Sequence, residues 1–292
     1  MRGARRFLRN RIAVAAALGL VALVGVCLVY PLVSPHDPYA VDFSQKYLGP
    51  SWSHPLGTDL FGRDLLTRVA LGGRSSMLVA VGAIAVILVV GAVWGGVAGL
   101  AGGRVDALLM RAIDALYAIP RLPFAIMILV VVGLNGNELT LIAALSVVGW
   151  LTTARLVRAQ IVSLQHVEYV QAARALGARS RQVALRHLLP NSAGVLVVAV
   201  FLELPTVLLS EAFLSVLGLG INPPDATWGN VAQLGRDRGD LSSVVLPSVA
   251  IAIFAVCANL VADGLQEAFD PRRDVRRVRR SWRWRRAVAA AR

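Results

Sequence analysis

The residues in this chain that could do chemistry are few, and most are scattered. Its four histidines, His36, His54, His166 and His187, show no H-E-x-x-H spacing. No serine sits in G-x-S-x-G, and no phosphate-cradling G-x-x-x-x-G-K-[ST] is present. The chain therefore offers no recognisable catalytic centre and no P-loop, so if ATP drives its function another polypeptide must bind the nucleotide. Cys27 and Cys257 fall in apolar windows without metal spacing, pairing framework or redox motif, and read as small buried hydrophobes. Polar residues gather in one place, EYVQAARALGARSRQVALRHLLPN, from Glu168 to Asn191. There Glu168, Gln171, Arg174, Arg179, Arg181 and Arg186 lie between segments apolar enough to span a bilayer. A cationic polar segment in that setting is suited to docking with a second protein, through ion pairs and hydrogen bonds.

The local signals divide that segment into two helices. Gly177 follows a run of good helix formers and offers a cheap left-handed turn for ending the first. A second helix starts near Arg179 and is expected to end before Pro190, whose ring removes a backbone donor and disfavours helix in the preceding residue.

The elements that must position this loop are membrane helices. Apolar residues make up 57% of the chain and mean hydropathy is +0.65, against the ~45–50% apolar share of a soluble domain. A spanning helix needs about 20 mainly apolar residues. Six windows approach that: Ile12 to Val33, Met77 to Leu100, Ala107 to Leu134, Leu139 to Leu156 (the shortest), Ser192 to Leu219 and Val244 to Ala262. The first is longer than a signal-peptide core and lacks a small-x-small exit, so it reads as a retained helix. Arginine placement sets the orientation. Five arginines precede the first window, six lie between Arg155 and Arg186, and ten follow Pro271, whereas Ser34 to Ser76 balances Lys46, Arg63, Arg68 and Arg74 against Asp37, Asp42, Asp59 and Asp64. Six crossings with both termini cytoplasmic satisfy every loop. The expected organisation is a basic N-terminus over 1–11, a transmembrane domain over 12–270 with its docking loop at about 163–190, and a cytoplasmic basic tail over 271–292.

Within the membrane three features stand out. Gly91, Gly95, Gly99 and Gly103 repeat every fourth position and form a stripe along which another helix can approach closely. In the third window AIPRLPFAI holds Pro120 and Pro123, which are expected to break or kink the helix. It also carries Arg121 into or near the membrane, where a centrally placed arginine costs about 2.5–3.5 kcal/mol. Arg121 must therefore face a partner, a cavity or the interface, and Asp114, seven residues earlier, is a possible partner. In the fifth window Glu203 and Glu211, with Pro205 between them, are intramembrane acids. Together with Arg121 they are the candidate pathway residues, or else locks between subunits.

The docking segment resembles the EAA loop of ABC importer permeases: an acidic residue, two alanines, three residues, glycine, nine residues, then an apolar-x-Leu-Pro ending. Here these are Gln171, Ala172, Ala173, Gly177, Leu189 and Pro190, with Gln171 where the family usually has Glu and His187 where many members have Ile. Glu168, three residues earlier on a neighbouring face, is positioned to replace the missing acid. HPLGTDLFGRDLLTRVALGGRSS (His54 to Ser76), SEAFLSVLGLGINPPDATWGN (Ser210 to Asn230) and ADGLQEAFDPR (Ala262 to Arg272) resemble, in order, the C-type permeases of dipeptide, oligopeptide and nickel importers.

That resemblance implies an all-α integral membrane protein with the six-helix type I importer permease fold, embedded in a bacterial plasma membrane. It implies a second, homologous permease enclosing the pathway with this one, and two ATPase subunits that hold ATP and Mg and close beneath the membrane. An extracytoplasmic binding protein would deliver the cargo, and this chain itself would bind no cofactor or metal. Residues Gln171 to Gly177 would seat in the ATPase, with Arg179 to Leu189 bracing the loop. The expected cargo is peptide, with nickel or another small solute as the alternative.

Readings from other classes fit less well. A membrane-embedded transferase lacks any clustered catalytic set, and a non-transporting anchor does not need the docking loop. The net charge of +13 and the tail RRDVRRVRRSWRWRR invite a nucleic-acid reading. A basic tail just after a membrane helix is instead drawn to anionic lipid, with Trp282 and Trp284 at the headgroups.

Overall fold

The computed structural model describes residues 2–132 and 136–269. The basic tail over 271–292 lies outside the described residues. Among the described residues the main elements are helices: α1 Arg2–Phe7, α2 Arg11–Val33, α3 Leu65–Ala101, α4 Gly103–Tyr117, α5 Arg121–Val132, α6 Glu138–Gln165, α7 Glu168–Ala175, α8 Ser180–Val183, α9 Leu189–Val216, α10 Trp228–Arg238 and α11 Leu241–Phe269. Five of them are long and apolar enough to cross a membrane, in the stretches Arg11–Val33, Leu65–Ala101, Glu138–Gln165, Pro190–Val216 and Leu241–Phe269.

The third expected crossing, Ala107 to Leu134, is not one helix. It is the pair α4 and α5, bent by 86°. Pro120 stands in the break, just before α5. Pro123 falls in the first turn of α5, where a missing N–H removes no intrahelical bond, so only one of the two prolines acts as a breaker. The shortest window, by contrast, becomes a 28-residue helix, α6, because the polar turns after Leu156 continue it. Arg158 in those turns is neutralised from α4, contacting Asp106 through Nε at 2.8 Å and Nη2 at 2.5 Å, and just before them Arg155 Nη2 lies 2.6 Å from Asp114.

The α3–α6 pairing is the most extensive in the bundle. A Cβ added at Gly95 would stand 2.2 Å from the Ala154 carbonyl oxygen, one at Gly91 2.7 Å from the Thr153 side chain, and one at Gly99 3.0 Å from Ile161. The two backbones therefore meet as small-residue stripes allow, and the contact lies within the subunit. Gly103 does not belong to this stripe. It has φ +52° beyond the end of α3, and nothing lies within 4 Å of a Cβ built there. Gly102, the C-cap of α3, breaks the chain before the periodicity reaches Gly103.

Both ends of the described chain sit at the docking-loop end of the bundle. Asn10 Nδ2 donates to Glu267 Oε2 (3.1 Å), and Gln165 Nε2 donates to the Gly99 carbonyl (2.8 Å). At the opposite end α2 meets α3 through Ser34 Oγ and Thr67 Oγ1 (2.8 Å), and the Asn222 N–H donates to the Gly136 carbonyl (3.1 Å).

Candidate docking loop and membrane charge pairs

The loop begins where α6 ends at Gln165, and α7 starts without a side-chain cap, since its N-cap residue is Val167. Its C-terminus is fully specified. The Ala178 N–H donates to the Ala173 carbonyl (3.0 Å), and the Gly177 N–H donates to the Arg174 carbonyl (2.9 Å). This is the paired bonding of a Schellman motif, which requires a left-handed residue at its turn. Gly177 supplies it at φ +83°. Nothing lies within 4 Å of a Cβ built there, so the backbone conformation demands glycine and crowding does not.

One face of α7 is anchored and most of the rest is exposed. Val170 is fully buried, clustered with Val157 and Ile161 of α6, Val183 of α8, and Leu188. Glu168, Gln171, Ala172, Arg174 and Arg179 are exposed, Ala173 is half-buried, and Leu176 at the tip is 89% exposed. Gln171 reaches back to the His166 carbonyl (3.5 Å), and the Gln182 side chain accepts from the Arg179 N–H (3.0 Å). The sequence reading missed both the anchor Val170 and the exposed apolar tip Leu176. A buried valine alternating with exposed polar residues on α7 was the available signal.

The second helix does not end before Pro190. α8 passes into a π-helical stretch, Ala184–Leu188, and then directly into α9, with Pro190 in its first turn. A π turn is wider than an α turn and its donors reach one residue further back. It accommodates a proline that cannot donate and whose ring crowds the preceding turn. Leu189 thus starts a membrane helix instead of closing a surface one, and α8, the π stretch and α9 form one continuous helical path.

Inside the bundle, the partner of Arg121 is Glu203 of α9: Arg121 Nη2 lies 3.2 Å from Glu203 Oε2. Asp114, the partner expected from helical periodicity, is taken by Arg155, because the 86° bend rotates α4 away from α5. Glu211 does not line a pathway. It is 0% exposed, and its oxygens accept from Ser76 Oγ of α3 (2.9 Å) and Ser215 Oγ (2.8 Å).

Glu211 is the centre of a knot that joins two of the stretches quoted above for their resemblance, His54 to Ser76 and Ser210 to Asn230. Ser76 Oγ also accepts from the Trp228 N–H (3.2 Å), and Trp228 Nε1 donates to the Val69 carbonyl (2.9 Å). Thr227 and Asn230 close a reciprocal capping box on α10. Above α3, Asp64 caps the helix by accepting from the Thr67 N–H (2.8 Å), and His54 Nδ1 lies 3.1 Å from the same carboxylate. His36 stacks on His54 at 4.4 Å, and both ring nitrogens of His54 are engaged, by Asp64 and by Gln45. This cluster is a loop clasp. Tyr39 donates to Asp225 (3.0 Å), and burial, then that carboxylate, raises its hydroxyl above the ordinary pKa.

Residues 88–275 match the family described as binding-protein-dependent transport system inner membrane component, and residues 2–50 match the N-terminal transmembrane domain of oligopeptide transport permease C. The chain is 37% identical to the dipeptide transport system permease protein of Bacillus subtilis (strain 168), over 92% of this chain and 84% of that one. It is 35% identical to the oligopeptide transport system permease protein of the same organism, over 91% and 88%. Against the oligopeptide transport system permease protein of Escherichia coli (strain K12) it is 37% identical over 92% and 89%.

Proposed function

The chain belongs to the family of inner-membrane components of binding-protein-dependent transport systems, and from that premise we propose that it forms half of the pathway through which a bacterial ABC importer takes up short peptides. The peptide reading is supported by relatives named for dipeptide and oligopeptide transport that match more than nine-tenths of the chain. A second, homologous permease completes the pathway. Two ATPase subunits carry ATP and Mg, and an extracytoplasmic binding protein brings the cargo. The arginine bias of the loops supports placing both termini and the α7 loop in the cytoplasm.

The observation that carries the mechanism is the α7 loop itself. It is pinned at Val170, turned at Gly177, exposed at Glu168, Gln171 and Leu176, and continuous through the π segment with α9. Glu168 to Gly177 seats in a groove of the ATPase, with Glu168 supplying the ionic contact that Gln171 lacks. Ala172 and Ala173 keep that face low enough to enter the groove. When the ATPases close on ATP, displacement of α7 is passed by Arg179 to Pro190 into α9, and α9 carries Glu203. A rigid path matters here, because packed helices respond to small displacements by switching arrangement and do not stretch.

Affinity purification of the tagged chain from native membrane in mild detergent tests the assembly. Recovery of a second permease and P-loop ATPases in stoichiometric amount is the expected result. Recovery of the chain alone, under conditions that preserve other membrane complexes, would count against it.

A further inference from the structure

We propose that the Arg121–Glu203 pair is the mid-membrane seat for the two charged ends of a peptide, with Glu203 receiving the α-ammonium and Arg121 the α-carboxylate. This rests on the peptide reading above and assigns it a site.

The pair lies far from both ends of the bundle. Glu203 is fourteen residues into α9, roughly 20 Å along its axis at 1.5 Å per residue. The guanidinium lies beside Gly149, in the middle of α6, where a Cβ would stand 3.2 Å from Nη2. Charges at such depth face protein or a water-filled cavity and avoid lipid. The Arg121 side chain is 40% exposed and that of Glu203 10%, so the guanidinium opens onto a space that this subunit does not fill. The adjoining cleft, lined by Arg121, Leu122, Ala144, Leu145, Thr206 and Ser210, measures only about 20 Å³ in this subunit alone, so the room for a peptide must lie on the open side of Arg121 that a second permease would enclose.

The bonding of the pair is incomplete. Arg158 grips Asp106 with two nitrogens at 2.8 and 2.5 Å, and Glu211 is enclosed and bonded through both oxygens. Arg121 and Glu203 share one contact, at 3.2 Å. That leaves most of the five guanidinium donors and one carboxylate oxygen available for a ligand. Arg155 and Asp114 likewise share a single contact, at 2.6 Å and with more exposure, but Arg121 is the one of these two arginines that lines the cleft against α9.

The chemistry of the cargo fits this arrangement. Peptides of differing sequence have in common one ammonium and one carboxylate, which in a dipeptide stand no more than about 7 Å apart. Arginine recognises a carboxylate with two parallel bonds. A zwitterion that meets a preformed ion pair exchanges one pair for two and adds no net charge to a low-dielectric space, so the desolvation cost of its ends is offset. The seat therefore takes short peptides with free termini.

The test uses proteoliposomes holding the complete importer, with binding protein in excess. They are given a labelled dipeptide, its N-acetyl form or its C-terminal amide. The binding protein is the same in every arm, so only changes in ratio between variants report on the permease. Arg121→Gln is expected to lower the free-to-amide uptake ratio about tenfold, and Glu203→Gln to lower the free-to-acetyl ratio about as much, each leaving the other ratio near wild type. Arg121→Lys and Glu203→Asp keep the charges; should a glutamine variant fail to assemble, these are expected to shift the same ratios about threefold. Unchanged ratios in every assembled variant would overturn the seat while leaving peptide import intact. A wild-type importer that takes up none of the three would overturn the peptide reading as well.

Discussion

Gly177→Val is expected to cut peptide uptake by about 5- to 30-fold while the ATPases go on hydrolysing ATP. Gly177 stands at φ +83° with open space around it, so valine meets no neighbour. It pays instead for the left-handed conformation, about 1–2 kcal/mol for an L-residue and more for a β-branched one. That is the stated factor in the population of the closed Schellman turn. The turn sets the angle between α7 and α8, and the anchor Val170 depends on that angle to meet Val183. Gly177→Asn is the discriminating control, since asparagine tolerates left-handed backbone, and it is expected to retain uptake within about twofold. Uptake and hydrolysis measured on the same vesicles would separate a broken transmission from a broken complex. Equal loss in both variants would remove the conformational explanation.

The second large effect is expected at the opposite end. Glu211→Leu leaves Ser76 and Ser215 without their buried acceptor, at about 1–3 kcal/mol for each orphaned group. It also loosens Ser76 beneath the Trp228 N–H. A loss of roughly 2–6 kcal/mol is a large share of the ~5–15 kcal/mol by which a native protein is stable, so much less assembled complex than wild type should survive mild heating in detergent, read by size-exclusion chromatography. Glu211→Gln keeps an acceptor oxygen and the side-chain volume and is expected to assemble and transport. If Glu211 served cargo instead, the glutamine variant would assemble normally and lose selectivity.

What could be read in the sequence was whatever chain-local chemistry controls. Apolar length revealed the spans, Gly177 announced its turn, and the spacing of Gly91, Gly95 and Gly99 announced a close helix contact. The errors arose where a distant residue decided the outcome. α6 outruns its apolar window because Asp106 arrives from α4 to neutralise Arg158 beyond it. Asp114 could not pair with Arg121, because the break at Pro120 ends the periodicity on which that expectation rested. Pro190 stops no helix, since a π turn absorbs it. Glu203 and Glu211 look alike in sequence, yet one is paired with a half-exposed arginine and the other is sealed between two serines. That difference depends on which helices pack beside each, information carried only by the tertiary fold.

The most direct measurement is uptake of a labelled dipeptide into proteoliposomes containing this chain with its co-purifying permease and ATPases, with and without ATP and binding protein. Accumulation that requires both, together with ATP hydrolysis that rises when loaded binding protein is added, is the predicted result. An assembled complex that hydrolyses ATP but moves no peptide, or that moves it equally well without ATP, would contradict the account.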